Sequence, residues 1–164
     1  MNKLVIYNHG KDSTPWGEKT LAFADVAKRH GYKVESPDYR DQMNPDERVK
    51  QLLAMDFSDY SSIVMIGSSM GAYVATVAAE TLPVSGLFLL APAFYLPDYQ
   101  QQEFLPLEHT WVFHGWQDDI VPPENAWKFC QHYHCRLLML DTDHRLMSQI
   151  PLLRDELDHF LSVI

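Results

Sequence analysis

Short apolar runs of strand length alternate along this chain with longer amphipathic stretches. The apolar runs fall at 3–8, 32–36, 62–66, 86–90, 110–113 and 136–140, and their lengths predict six β-strands. Between them, apolar positions recur at helical spacing over 19–30, 45–55, 70–82 and 123–132, with a last such stretch over 150–163. The punctuation agrees: Gly31 follows the first helical stretch, Pro45 opens the second, Pro83 follows the third and Pro122-Pro123 opens the fourth. Near-continuous apolar strands separated by helices predict a mainly parallel sheet covered on both faces, with right-handed crossovers. The expected architecture is α/β, a three-layer α/β/α unit around six strands.

In such sheets ligands bind at the carboxyl ends of the strands. This turns the polar segments just after the strands into a spatial prediction. His9-Gly10, Ser69, Asp118 and His144 all follow strands and should share one edge.

A chain of 164 residues suffices for a substantial core, and one domain spanning 1–164 is expected. The hydrophobic fraction of 46% and charged fraction of 21% argue against disorder. A formal net charge of −9 repels polyanions, so neither nucleic acid nor an anionic membrane surface is an expected partner. The apolar run 4–7 is too short for a signal-peptide core, and the stretch 87–96 is interrupted by Pro92; a cytoplasmic location is expected. Cys130-Gln131-His132-Tyr133-His134-Cys135 places soft donors together, but donors crowded this closely rarely converge on one ion without a second cluster. These cysteines read as structural or surface residues, and no metal site is expected.

Residues 67–71 read Gly67-Ser68-Ser69-Met70-Gly71, a G-x-S-x-G pentapeptide between a predicted strand and an Ala-rich helical stretch. Small residues recur wherever elements pack tightly, so the pattern alone also fits a plain packing turn. In the context strand, tight turn, helix, Ser69 stands at the apex, Ser68 flanks it, and the two glycines allow the strand and helix to approach closely. A serine nucleophile needs a base within hydrogen-bond reach and donors for the oxyanion. His144, in Asp141-Thr142-Asp143-His144-Arg145-Leu146, follows the last strand on a polar loop, which suits a partly exposed base. His30 and His159 lie in or beside helices, His109 precedes a strand, and His132 and His134 lie between the cysteines. For the carboxylate that orients the base, Asp118 and Asp119 both follow the fifth strand, and Asp141 and Asp143 flank His144.

The segment from His114-Gly115 through Asp118 to Val121-Pro122 has the spacing H-G-x-x-D-x-x-V-P. It resembles the acid loop of the alpha/beta-hydrolase superfamily, and the resemblance selects Asp118 over Asp119, Asp141 and Asp143. Tyr7-Asn8-His9-Gly10-Lys11 resembles the H-G segment that shapes the superfamily's oxyanion hole. With the pentapeptide and Asp143-His144, these motifs span most of the chain in the superfamily's order Ser, Asp, His. The chain is similar to small, lidless bacterial serine hydrolases or esterases. The resemblance implies a minimal alpha/beta-hydrolase fold without the first two strands and without the cap. It also implies Ser69 as nucleophile, His144 as base, Asp118 as orienting acid, and the backbone N–H groups of Met70 and Lys11 as oxyanion donors. Gly10 is expected to permit a close backbone approach there, with His9 holding the loop.

Without a cap, the aromatic loop 91–99 is the only segment placed to cover Ser69. Phe94, Tyr95, Tyr99 and Trp116 either line an acyl or alcohol pocket or pack their loops onto the sheet; Trp16 carries the same ambiguity. The charge on Lys11 either suits an anionic acyl group or is solvated. Little water is excluded and few remote contacts are on offer, which favours a small, accessible carboxylic ester cleaved through an acyl-enzyme, without metal or organic cofactor. Thioester hydrolysis or acyl transfer would use the same triad. A catalytically silent fold serving as a binding module is the alternative from another class, and the intact set of Ser69, Asp118 and His144 argues against it.

Overall fold

The computed structural model describes residues 2–164. In β1 (Lys3–Asn8) successive residues point to opposite faces, and both faces are apolar: Leu4 and Ile6 enter one core, Val5 and Tyr7 the other. The alternation repeats in β3 (Ser62–Ser68), with Ile63 and Met65 against Val64 and Ile66, and in β4 (Val84–Leu90), with Leu87 and Leu89 against Phe88 and Leu90. Strands apolar on both faces must be covered on both. Helices α2 (Pro45–Leu53), α3 (Met70–Ala78) and α4 (Pro123–Tyr133) cover the first face through residues such as Leu52, Tyr73 and Phe129. Helices α1 (Glu18–Arg29) and α5 (Ile150–Val163) cover the second through Phe23, Leu153 and Phe160.

The sheet is parallel throughout, in the order β2-β1-β3-β4-β5-β6, where β2 is Tyr32–Glu35, β5 Thr110–Gly115 and β6 Arg136–Leu140. The chain steps outward from β1 to β2 and then back across β1 to β3, so the strand order reverses at the β1/β3 pair, where α/β sheets open a crevice. The register there matches Asn8 with Gly67, so the chain leaves both strands side by side. That places the His9 loop next to Ser69.

Several elements end elsewhere than the sequence pattern predicts. β3 runs on to Ser68 because Gly67 and Ser68 still pair with Leu89 and Leu90, and β5 runs on to Gly115 because His114 and Gly115 pair with Met139 and Leu140. α3 stops at Ala78 rather than near 82: the following N–H groups of Glu80 and Thr81 reach back only three residues, to Val77 and Ala78, tightening the chain ahead of Pro83. A 3₁₀ turn at Met147–Gln149 precedes α5. The β4-to-β5 crossover, residues 91–109, contains neither helix nor strand. Two of its aromatic side chains, Phe94 and Phe104, fill the place a helix would occupy, packing on Phe129 with ring centroids 4.1 and 5.6 Å away.

The junction that sets the site is the approach of α3 to the end of β1. A Cβ on Gly71 would collide with the Asn8 main chain, whereas one on Gly10 would meet nothing nearer than the Ser68 carbonyl oxygen at 3.5 Å and Ser69 Cβ at 3.7 Å. The close approach expected at Gly10 is therefore met at Gly71, because it is the helix start that abuts the strand. Gly71→Ala should cost ~3 kcal/mol of stability, a fall of roughly 6–12 °C in Tm for a chain of this size. Gly10→Ala should leave the Tm nearly unchanged, and calorimetry on the two variants checks the contrast.

Candidate active site

Ser69 joins β3 to α3 with φ 54° and ψ −115°, a region that side-chain-bearing residues rarely occupy and that costs ~1–3 kcal/mol. The surroundings hold it there. Its N–H donates to the Leu90 carbonyl at 2.9 Å, and its carbonyl accepts from the N–H groups of Ala72 at 3.0 Å and Ala93 at 3.1 Å. The following residue, Met70, is the first of α3; an N–H at that position has no intrahelical acceptor and is free to bind an anion. Lys11 lies exposed on the loop after β1.

His144 closes on Ser69 from the loop after β6. Its Nε2 is 3.0 Å from Ser69 Oγ and its Nδ1 2.7 Å from Asp118 Oδ2. A carboxylate only accepts, so Nδ1 carries the proton and Nε2 is left to receive the serine O–H. The His144 side chain is 18% exposed and that of Asp118 is fully enclosed. The two loops touch directly: Gln117 N–H donates to the Thr142 carbonyl at 3.0 Å, and Gly115 lies so close to the carbonyls of Thr142 and Asp143 that a Cβ would strike them. Asp119, Asp141 and Asp143 are exposed, and Asp143 accepts from the Arg145 N–H. The structure thus brings Ser69, His144 and Asp118 together and leaves the other candidate acids in solvent.

Asp118 is saturated with donors. Oδ1 accepts from the N–H groups of Ile120 at 2.9 Å and Val121 at 2.8 Å, while Oδ2 faces Nε2 of His114 at 3.0 Å as well as His144. Burial alone would push its carboxyl up, but the hydrogen bonds from His114, His144, Val121 and Ile120 outweigh it and hold the group well below the usual carboxylate range. His114 is a contributor that the sequence does not single out as one. It is fully buried, its Nε2 also faces the Val121 carbonyl at 3.0 Å, and its Nδ1 has no partner. It braces the acid from behind, and its only sequence signal is its place opening the H-G-x-x-D segment.

A second unforeseen group is Lys19, whose ammonium donates to Ser68 Oγ at 3.1 Å and to the Arg145 carbonyl at 2.9 Å. It ties α1 to both the serine turn and the histidine loop. Near the start of an amphipathic helix such a lysine reads as solvated; only the topology brings it beneath Ser68. Burial pushes its pKa down to about 8, with repulsion from Arg145 adding to the effect. His9 plays the loop-holding part: fully buried, it donates from Nδ1 to the Gly10 carbonyl at 2.8 Å and accepts at Nε2 from the Tyr39 N–H at 2.9 Å.

The aromatic candidates divide. Phe94 is fully buried and stacked on Phe129, so it lines no accessible pocket: its loop substitutes for a helix and the ring fills the core. Tyr99 packs edge-on against Tyr73 with centroids 4.8 Å apart, and half-buried Tyr95 lies under the Lys128 ammonium at 4.0 Å. Trp116 is 61% exposed. It lines a surface groove of about 290 Å³ with Pro123, Glu124, Trp127 and Met139. Cys130 and Cys135 are free thiols at the end of α4, the first buried and the second half-buried. Among the described residues, no three His, Cys, Asp or Glu side chains are grouped to hold a metal ion.

A parallel sheet with a strained serine between β3 and α3, an aspartate loop after β5 and a histidine loop after β6 is the alpha/beta-hydrolase fold. An alpha/beta-superfamily protein from Xanthomonas campestris pv. campestris superposes with a TM-score of 0.89 at 26% identity, with 100% of each chain covered. A serine hydrolase without a lid, also from Xanthomonas campestris, gives a TM-score of 0.75 at 21% identity, covering 98% of this chain and 81% of that one. The Pyrococcus furiosus esterase Pf2001 gives 0.75 at 20% identity, covering 99% and 83%. Within this superfamily the chain belongs to the uncharacterised protein family UPF0227, whose family model matches residues 4–105. No curated protein matches the sequence.

The depressed Lys19 carries a stability signature. Between about pH 8 and 10.5 the unfolded chain holds the lysine proton and the folded chain has released it, so this group adds stability as pH rises through that window and is least favourable below it. Lys19→Met removes the slope. Urea midpoints at several pH values should show wild type gaining on the variant from pH 8 upward, and a constant difference would contradict this origin of the shift.

Proposed function

We propose that this protein is a serine hydrolase that cleaves small, accessible carboxylic esters through an acyl-enzyme on Ser69. The observation that carries the reading is the unbroken hydrogen-bond chain from Ser69 Oγ through His144 to the buried, saturated carboxylate of Asp118. Its likeness in fold to hydrolases and esterases supports it.

In this mechanism His144 Nε2 takes the hydroxyl proton as Ser69 Oγ attacks the acyl carbon, and Asp118 stabilises the imidazolium that forms. The backbone N–H groups of Met70 and Lys11 receive the developing oxyanion. The tetrahedral intermediate collapses as His144 hands its proton to the departing alcohol, leaving the acyl group on Ser69. Water, deprotonated by His144, then attacks the acyl carbon; the carboxylic acid leaves and Ser69 Oγ recovers its proton. The chemistry calls for no metal or organic cofactor. The short crossover at 91–109 offers few contacts remote from the reacting bond, which favours small acyl and alcohol groups.

A fluorophosphonate probe should label the wild-type protein and leave Ser69→Ala unlabelled. On p-nitrophenyl esters of graded acyl length, Asp118→Asn should lower kcat by about 10⁴, while Asp119→Asn should stay within a few-fold of wild type. An unlabelled wild type, or equal losses at the two aspartates, would overturn the assignment.

A further inference from the structure

Arg48, in the first half of α2, is fully buried. Among the described residues no carboxylate forms an ion pair with it. Its five N–H donors instead meet five main-chain carbonyls: Nε to Gln42 at 2.6 Å, Nη1 to His9 at 2.9 Å and Gly10 at 3.2 Å, Nη2 to Lys11 at 3.3 Å and Tyr39 at 3.2 Å. This uses the full donor capacity of a guanidinium. A buried cation without a counter-ion is costly even when every donor is met, and a methionine would fill comparable space without that cost.

Three of the five acceptors are the consecutive carbonyls of His9, Gly10 and Lys11, the loop that the proposed mechanism uses for the oxyanion. In a trans peptide the C=O and the next N–H point in opposite directions, and no cis peptide occurs among the described residues. A Gly10 carbonyl turned toward Arg48 therefore turns the Lys11 N–H away from it. Gly10 stands over the serine turn, where an added Cβ would lie 3.7 Å from Ser69 Cβ. The positive charge sits at the negative ends of these peptide dipoles and polarises their N–H groups toward the opposite side.

We infer that Arg48 is the positioning residue of the oxyanion hole, fixing the loop 9–11 so that the Lys11 N–H faces the oxyanion formed at Ser69. The inference rests on the serine-hydrolase reading. Arg48 touches no substrate and acts only through the peptides it holds.

The test compares Arg48→Met, which keeps the bulk and removes the charge, with Arg48→Lys, which reaches at most three of the five carbonyls. Each is measured for kcat and KM on a short-chain p-nitrophenyl ester and for thermal unfolding. Each is also titrated with a trifluoromethyl ketone, whose adduct with Ser69 carries an oxyanion, and with the matching secondary alcohol, which forms no adduct. Arg48→Met should lose about 10² in kcat with KM within about threefold, and should lose ketone affinity by a similar factor while alcohol binding is unchanged. Arg48→Lys should show the same selective pattern at about tenfold, and it carries the test where Arg48→Met does not fold. A folded variant with wild-type kcat and ketone affinity would overturn the inference, as would equal losses for ketone and alcohol. A wild type that neither labels with fluorophosphonate nor turns over ester removes the hydrolase reading and this inference together; a wild type that does both while the Arg48 variants match it removes this inference alone.

Discussion

Ser69 holds a backbone conformation that a free chain avoids, and three neighbouring elements keep it from relaxing. β4 accepts its N–H through Leu90, α3 and the β4-to-β5 crossover donate to its carbonyl, and the glycine at 71 lets the helix start press against the end of β1. Strain of this kind persists only where the surroundings over-determine it. Here the parallel sheet supplies that excess: β1 pairs with β3 along its whole length, and β3 pairs with β4 without interruption from Val64 to Ser68, the register shift lying at the far end between Ile63 and Val64, so the turn between β3 and α3 has little slack to unwind. The hydroxyl, the helix N-terminus and the loop after β1 meet as a consequence of strand order.

Beneath that apex the polar groups are held at a high price in desolvation and with few donors wasted. Asp118 meets four donors, Arg48 meets five acceptors, and Lys19 bridges the serine turn to the histidine loop. Each brings together loops or helices that are far apart in sequence. Removing one partner from such an arrangement leaves a buried charge unmet, which is worse than never having placed it there. The same arrangement reduces the reorganisation a polar site would need as charge develops.

Much of the frame was legible because its cause is local. Strands apolar on both faces announce a covered parallel sheet, and the segments holding Ser69, Asp118 and His144 announce themselves by directly following such strands. What the sequence does not display has causes that are not local. Arg48 and Lys19 sit on amphipathic helices where charged residues ordinarily face water; their burial follows from carbonyls contributed by residues 9–11 and 39–42 and by Arg145. Phe94 was ambiguous because its fate depends on where α4 brings Phe129. α3 ends at Ala78 although helix propensity continues to 82, because the chain must already tighten toward Pro83.

The crossover at 91–109 holds to the body largely through rings rather than through helical hydrogen bonds. Between the two rings it is pinned again on α2 and α3: Tyr99 packs edge-on against Tyr73, and the N–H groups of Gln100 and Gln101 donate to Asp46 and to the Tyr73 hydroxyl. Ser69, Asp118 and His144 are carried by other loops, and the crossover meets the serine turn ahead of both rings, through the Ala93 N–H. The crossover is therefore a strap laid over α2, α3 and α4 rather than a loop free to lengthen, and a substitution beyond Phe94 is felt at the serine turn through the helices it rests on.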